Sequence, residues 1–177
     1  MTTLRPTDMV IERDNWEAMK LRVWHELEKK DSVLRCLDLS TSVLGVEGTK
    51  RLFEVLQVNS SLAKLSLGQG GFGDQHCMYL AETLRVNSAL TSIDLRNNFI
   101  EAQGCKWLAD ALVVNSSILR LDLSSNKIGD DGCKFLFEAL RANKSLTCVF
   151  LGLTSMGNNA CEQLAQALCA NSTSTRP

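Results

Sequence analysis

The chain has 177 residues, 45% of them hydrophobic, which is enough to bury the core of one domain. Its 19 lysines and arginines nearly balance its 20 aspartates and glutamates, so no long-range field favours nucleic acid or an anionic membrane as a partner. No signal-type segment and no apolar run of membrane-spanning length occurs, which predicts a cytoplasmic protein without membrane attachment.

Residues 1–31 are predicted to form an N-terminal segment with one capping helix. The stretch DNWEAMKLRVWHELEKKD is amphipathic, and Asp14-x-x-Glu17 has the spacing of a capping box. The end unit of a repeat array has no neighbour to cover its core, so a cap is the favoured role. A partner-binding helix stays open as an alternative because Trp16 and Trp24 both lie in this short segment.

Five units of 28 residues follow and align without a gap. They are residues 32–59, 60–87, 88–115, 116–143 and 144–171. Each unit begins with an apolar triplet spaced L-x-x-L-x-L, such as Leu90, Ile93 and Leu95. The alternation at the end of the triplet is the period of a strand. Residues 172–177 are left as a C-terminal tail.

A helical pattern occupies the second half of each unit. In the fourth unit the apolar residues from Cys133 to Leu140 are spaced by three, one and three positions, which indicates one buried helix face. Asp130 or Asp131 is predicted to cap the start of this helix. Asn143 is predicted to end it in a left-handed conformation. Each unit is therefore a strand, a turn, a helix and a second turn.

The pattern L-x-x-L-x-L-x-x-N-x-I-G followed by a helix, clearest in SSILRLDLSSNKIGDDGCKFLFEALRAN, resembles the leucine-rich repeats of ribonuclease inhibitor type. The resemblance covers residues 32–171. It implies an α/β horseshoe solenoid of five β-α repeats with a parallel sheet on the concave face and helices on the convex face. The same curvature is expected because strands pack about 4.8 Å apart and helices about 8 to 10 Å apart.

Relatives of this pattern include ribonuclease inhibitor, the repeat domains of NOD-like receptors, activators of the Ran GTPase, and tropomodulin. The resemblance therefore implies a non-enzymatic scaffold that binds a protein partner through its concave strand face and adjacent loops. Three alternatives stay open: a tropomodulin-like actin-capping protein, a Ran-type GTPase-activator-like regulator, and a fragment of a larger NOD-like receptor array. No cofactor, metal or small-molecule ligand is expected.

The predicted partner site consists of side chains that alternate with the buried triplets and so face the concave side. Asp94 and Asp122 are expected side by side, with Arg96 and Arg120 close enough to neutralise them. A salt-bridged ladder with no partner explains the same charges equally well. The predicted partner-binding residues are Asp38, Lys64, Asp94, Arg96, Asn97, Arg120, Asp122, Phe150 and Leu153.

The stretch GQGGFG, residues 68–73, spells G-x-G-x-x-G, and Asp94 follows 21 residues after Gly73, as in a dinucleotide-binding fingerprint. The repeat frame instead gives Gly73 and Asp94 ordinary repeat positions. It also requires Phe72 to enter the core, whereas a dinucleotide turn starts its helix by the second glycine. A loosened repeat turn is therefore preferred, with Gly70 in a position that holds asparagine in the third and fourth units.

Two further columns recur at the 28-residue period. The first consists of Cys77, Cys105, Cys133 and Cys161. The second consists of Tyr79, Trp107 and Phe135. Cysteine is small, apolar and often buried, so the first column is predicted to be a row of reduced core residues. The aromatic column is predicted to fill the grooves between neighbouring helices, with a partner site as the alternative.

Overall fold

A computed structural model of the protein describes residues 8–10, 16–29, 32–158 and 160. Strands and helices alternate along these residues. In chain order the elements are β1 (Asp8–Val10), α1 (Trp16–Glu28), β2 (Cys36–Asp38), α2 (Gly45–Val58), β3 (Lys64–Ser66), α3 (Asp74–Leu84), β4 (Ser92–Asp94), α4 (Ala102–Leu112), β5 (Arg120–Asp122), α5 (Gly129–Ala142) and β6 (Cys148–Phe150). The fifth-unit helix residues 161–171 and the tail 172–177 lie outside the described residues.

The six described strands form one open parallel sheet in chain order from β1 to β6. Every pairing joins residues that are 28 positions apart, such as Lys64 with Ser92 and Arg120 with Cys148. Consecutive helices from α1 to α5 pack against one another in the same order. The predicted α/β solenoid, with one parallel sheet and a layer of helices, is confirmed.

The N-terminal segment contains a strand that the sequence pattern did not predict. β1 pairs with β2 at the same 28-residue offset as the other strands. The following helix, α1, buries Val23 and Leu27 against the core, as a capping helix should. In the 28-residue frame, however, Val23 corresponds to the exposed Arg51 of α2. Leu27, in contrast, corresponds to the buried Val55, so the strand is in register with the array and the helix follows the frame only in part. This partial match hides the unit in the sequence.

The predicted capping box of α1 cannot be followed in the structure, because Asp14 and the side chain of Glu17 lie outside the described residues, as does the side chain of Trp16. Trp24 is partly buried and packs against the core. One side of α1 thus covers the adjoining repeat.

The core runs along the solenoid between the sheet and the helices. The triplet residues Leu90, Ile93 and Leu95 are fully buried, as are their equivalents in the neighbouring repeats. Three members of the cysteine column are buried thiols, namely Cys77, Cys105 and Cys133. Burial raises the pKa of the Cys77 and Cys105 thiols, which keeps them protonated and unreactive. The aromatic column packs partly buried against the same core, whereas Cys161 lies outside the described residues.

The prediction that Asp130 or Asp131 caps α5 was wrong. The N-cap residue is Ile128, and no side chain caps the helix. Both aspartates lie in the first turn, where the helix dipole favours negative charge. The Asp130 carboxylate accepts a hydrogen bond of 2.6 Å from the backbone N–H of Gly157. Its role is therefore to tie one repeat to the next.

The predicted left-handed exit at Asn143 was also wrong, because its φ of −68° and ψ of 135° are those of extended backbone. The extended conformation lets the side chain join two repeats. Its Nδ2 donates to the Leu112 carbonyl at 2.6 Å, and its Oδ1 accepts from the Leu146 N–H at 2.7 Å. Equivalent bonds recur in each earlier repeat. The buried asparagines of this helix-exit ladder are Asn59, Asn87, Asn115 and Asn143.

A second ladder lies in the turns between strand and helix. The buried Asn98 side chain donates to the carbonyls of Leu67 and Leu95, at 3.0 and 2.9 Å. Its Oδ1 accepts from the N–H groups of Gly70 and Phe72, at 3.1 and 3.0 Å. The glycine turn of the second repeat, which has no asparagine of its own, is thus held by the asparagine of the third.

The glycines of residues 68–73 make room for Phe72. A Cβ added to Gly70 would lie 3.1 Å from the Phe72 ring and 3.2 Å from the Leu67 carbonyl. The ring is buried and meets Phe53 edge-on, with centroids 6.4 Å apart. α3 begins at Asp74, after the last glycine rather than at the second. Phe72 therefore occupies the core position that the repeat frame predicted.

Replacing Asn98 with alanine is expected to destabilise the fold by about 2–4 kcal/mol, because several buried backbone groups lose their partner at once. Urea unfolding measures the loss. Amide exchange at Gly70 and Phe72 should accelerate in the same variant. Gln103→Ala, an exposed change on the neighbouring helix α4, is the control and should leave the midpoint unchanged. Equal midpoints for the two variants would contradict the proposed role of the side chain.

His76 closes the same turn from the helix side. Its Nδ1 accepts a hydrogen bond of 3.0 Å from the Gly73 N–H, and its ring lies 4.9 Å from the Phe72 ring, centroid to centroid. The bond requires an unprotonated Nδ1. Burial lowers the pKa of His76 below its usual value. Protonation is therefore easier in the unfolded chain than in the folded one.

The stability of the protein should fall as the pH drops from about 7.5 to about 5.5, because the unfolded chain binds more protons than the native state over this range. His76→Gln should flatten this dependence, since glutamine at the third helical position can accept the same N–H bond without titrating. Urea midpoints measured across the range for both proteins provide the comparison. Parallel pH profiles would show that His76 does not contribute to the dependence.

Candidate functional site

The open face of the sheet carries its side chains in rows that cross the strands. The first row consists of Cys36, Lys64, Ser92, Arg120 and Cys148. The second row consists of Asp38, Ser66, Asp94, Asp122 and Phe150. The residues between the two rows, such as Leu65 and Leu121, are buried on the other side. Neighbours within a row lie about 4.8 Å apart, so Asp94 and Asp122 are adjacent, as predicted.

The aspartates of the second row have a structural role. Asp38, Asp94 and Asp122 each accept a hydrogen bond from the backbone N–H two residues further on, at 2.8, 3.0 and 3.0 Å. Such a bond turns the chain away from the strand direction, as in an Asx turn. These carboxylates therefore stabilise the turns of their own repeats, and one oxygen of each is already engaged.

The two arginines of the predicted site behave differently. Arg96 pairs with Asp94 at 2.8 Å, with the carboxylate 19% and the guanidinium 58% exposed, so this neutralisation is confirmed. The prediction that Arg120 also helps to neutralise the two aspartates is not matched by an ion pair among the described residues. The Arg120 guanidinium lies over the Phe150 ring, 4.3 Å from its centroid, as a cation–π contact. Arg120 forms no ion pair with any residue that the structure describes.

A further row begins the turn after each strand, and all of its residues are left-handed. The φ values are 67° at Thr41, 57° at Gln69, 53° at Asn97, 57° at Ser125 and 57° at Leu153. The left-handed conformation costs about 1–2 kcal/mol for most residues but is tolerated by asparagine. Leucine is not one of the residues that tolerate this conformation. The side chain of Leu153 is also not buried, since it is 87% exposed.

The predicted site residues divide into two groups in the structure. Strands β4 to β6 and their turns bring together the first group, which is Asp94, Arg96, Asn97, Arg120, Asp122, Phe150 and Leu153. Asp38 and Lys64 belong to β2 and β3, at least two strands from Arg120. Lys64 is exposed and forms no ion pair within the described part of the chain. The charged and apolar features are thus concentrated on the β4–β6 part of the face.

One regular surface feature was missed in the sequence. Val58, Val86 and Val114 occupy the same position before the helix-exit asparagines and are 84%, 62% and 64% exposed. The 28-residue spacing of these valines was the available signal. Glu54 lies one helical turn before Val58, and Arg85 precedes Val86 directly, so charges of both signs border this column. The column therefore selects no partner by charge.

The described residues contain no group of three or more histidine, cysteine, aspartate and glutamate side chains placed to hold a metal ion. Of the helices in the described ranges, none is long and apolar enough to cross a membrane. What this part of the molecule offers is a surface with opposite charges, an aromatic ring and an exposed leucine.

Residues 114–137, which contain β5 and the first part of α5, match the Leucine Rich repeat family. No curated protein matches the sequence. Among solved structures, one described as "Leiomodin-1 Actin-Binding Site 2 (ABS2)" is similar with a TM-score of 0.74 and 19% identity, covering 88% of this chain and 88% of that one. The tropomodulin C-terminal domain of Caenorhabditis elegans is similar with a TM-score of 0.72 and 19% identity, covering 85% and 92%.

At 19% identity these two likenesses concern the fold alone. They extend over most of each chain, while the sequence match covers one repeat. The matched repeat, the 28-residue register of the sheet and the shared architecture agree with one another. The chain is therefore a leucine-rich-repeat solenoid.

Proposed function

We propose that this chain is a non-enzymatic scaffold that binds a protein partner through the open face of its sheet and the turns beside it. The observation that carries the proposal is Leu153, an 87% exposed leucine in a left-handed conformation. Leu153 lies in the turn after Phe150, and the Arg120 guanidinium lies over the ring of Phe150. An apolar side chain held at a conformational cost and left in water is explained by burial against a partner.

The energies favour this interpretation. The left-handed backbone at Leu153 costs about 1–2 kcal/mol in the unbound protein, and no burial of the side chain offsets it. Covering a leucine side chain with a partner would return about 1.5–3 kcal/mol. Asparagine, found at the equivalent Asn97, would fit the turn better. The leucine is therefore a poor choice for folding and a good one for binding.

The size of the face requires the turns to take part. Six strands span only about 24 Å across the sheet, and each strand is short. The surface of the strands alone is therefore smaller than the roughly 800 Å² that a standard interface buries on each partner. The proposed contact surface therefore keeps the full predicted set, from Asp38 and Lys64 to Leu153, and includes the left-handed row at Asn97.

The repeat type and the compartment are also part of the proposal. The 28-residue period, with a helix in each repeat from α2 to α5, supports the ribonuclease-inhibitor type of leucine-rich repeat. We propose that the protein is cytoplasmic.

Leu153→Asn is expected to raise the stability of the fold by about 1 kcal/mol and to weaken partner capture about tenfold. Stability and partner affinity are expected to change in opposite directions, because the substitution removes the backbone strain of the fold together with the apolar contact to the partner. Urea unfolding and quantitative pull-down from cell extract measure the two effects. Ser125→Asn is the matched control, since it relieves the same strain in the neighbouring repeat without removing an apolar side chain. Undiminished capture by Leu153→Asn would count against the proposed face.

Actin is a second candidate partner, because one of the similar solved structures is described as an actin-binding site. A tropomodulin-like function would make the chain a cytoskeletal protein that acts on filament ends. Filament assembly assays with this chain and with Leu153→Asn test the idea directly. Altered assembly that is lost in the variant would support it, whereas an unchanged assembly curve and no sedimentation with filaments would exclude it.

A further inference from the structure

The charges of the open face fall into those that the fold uses and those that it does not. Asp94 bonds its own turn through one oxygen and pairs with Arg96 through the other. Asp38 and Asp122 make the same turn bond. These four side chains are explained by the structure of an unbound repeat, so their presence says little about a partner.

Lys64 and Arg120 have no such role. Both belong to the first row, both are exposed, and neither forms an ion pair with any side chain in the described ranges. Ser92 lies between them, so the two cations are two strand spacings apart, or about 10 Å. The first-row side chains that the structure describes include no carboxylate. From β2 to β6 this row therefore carries two cations that form no ion pair with a described residue, and Asp8 of β1 occupies the equivalent register position at the far end of the sheet.

The Arg120 side chain is also preorganised for binding a ligand. Its guanidinium lies over the Phe150 ring, 4.3 Å from the centroid, and this contact restricts the motion of the group. A stacked arginine loses less conformational freedom when it forms a bidentate bond to a carboxylate. The ring and Leu153 extend the surface with apolar area beside the charge.

We propose that the partner segment recognised by this face is acidic and apolar. One carboxylate would bind Arg120, a second about 10 Å away would bind Lys64, and an aliphatic or aromatic side chain would cover Phe150 and Leu153. This inference rests on the proposed function and names the chemistry of its partner. A basic segment would find fewer partners here, because Asp94 is paired with Arg96 and each of the three aspartates has one oxygen bonded to the backbone.

The test uses a displayed library of random peptides as the probe, selected on the wild-type chain and then measured singly against variants. Arg120→Gln and Lys64→Gln remove the two cations. Arg85→Gln, an exposed cation at the end of α3 and away from this face, is the matched control. Asp122→Asn removes a negative charge while its amide oxygen can still accept the Ser124 N–H bond.

Selected peptides are expected to combine aspartate or glutamate with an aliphatic or aromatic residue. Their affinity should fall about tenfold on Arg120→Gln, corresponding to one lost charge-assisted pair, and should fall less on Lys64→Gln. Arg120→Lys should also weaken binding, because lysine keeps the charge but not the planar, bidentate geometry. Affinity should be unchanged on Arg85→Gln and should rise on Asp122→Asn, because that change removes a negative charge that repels an acidic segment.

The outcomes separate the inference from the proposed function. Binding of each peptide is mapped by the shifts of backbone amide NMR signals. The inference would be overturned, and the binding face kept, if peptides that shift the signals of β3 to β6 carry basic residues or lose affinity on Asp122→Asn. Peptides that shift only helix signals would overturn both. A library that yields no peptide retained by the wild-type chain would also overturn the inference.

Discussion

The buried side-chain amides that join one repeat to the next are the interaction on which the rest of this structure depends. A solenoid turns its chain twice in every repeat, and each turn leaves backbone N–H and C=O groups inside, where an unpaired group costs about 1–3 kcal/mol. Asparagine supplies donors and an acceptor together, as Asn98 does for the neighbouring turn and Asn115 for the helix exit. Because these bonds join equivalent positions, they hold the strands in the 28-residue register that aligns the surface rows.

The same turns determine what the open face can present. A left-handed residue follows each strand from β2 to β6, and the aspartates that end three of these strands bond the turn backbone. Much of the charge on the face thus arises from the construction of the repeat. Residues that depart from this construction, such as Arg120, Phe150 and Leu153, are the ones on which the proposed partner site rests. A prediction based on charge alone would have treated the aspartates and the arginines of the face as equal candidates for partner contacts.

Features that recur every 28 residues could be predicted from the sequence, because five copies confirm one another. The strand rows, the buried triplets and the core column at Cys77, Cys105 and Cys133 are of this kind. Features that occur once could not. The contact of Arg120 with Phe150 depends on side-chain rotation, and β1 was hidden because Val23 of the following helix leaves the repeat frame.

The ladder of turn asparagines also ends before the repeat that carries Phe150 and Leu153. The position of Asn98 and Asn126 is occupied in the fifth repeat by Thr154, whose hydroxyl donates to the Leu151 carbonyl of its own repeat at 2.8 Å. Asn126, in contrast, donates to the Leu95 carbonyl of the repeat before it at 3.0 Å. The Thr154 side chain is thus bonded within its own repeat, while its backbone carbonyl accepts the Gly129 N–H of the preceding repeat at 3.0 Å. The exposed Leu153 precedes Thr154 directly, so the residue that fits its turn worst lies in the repeat without the turn asparagine, and the proposed partner contact would cover it.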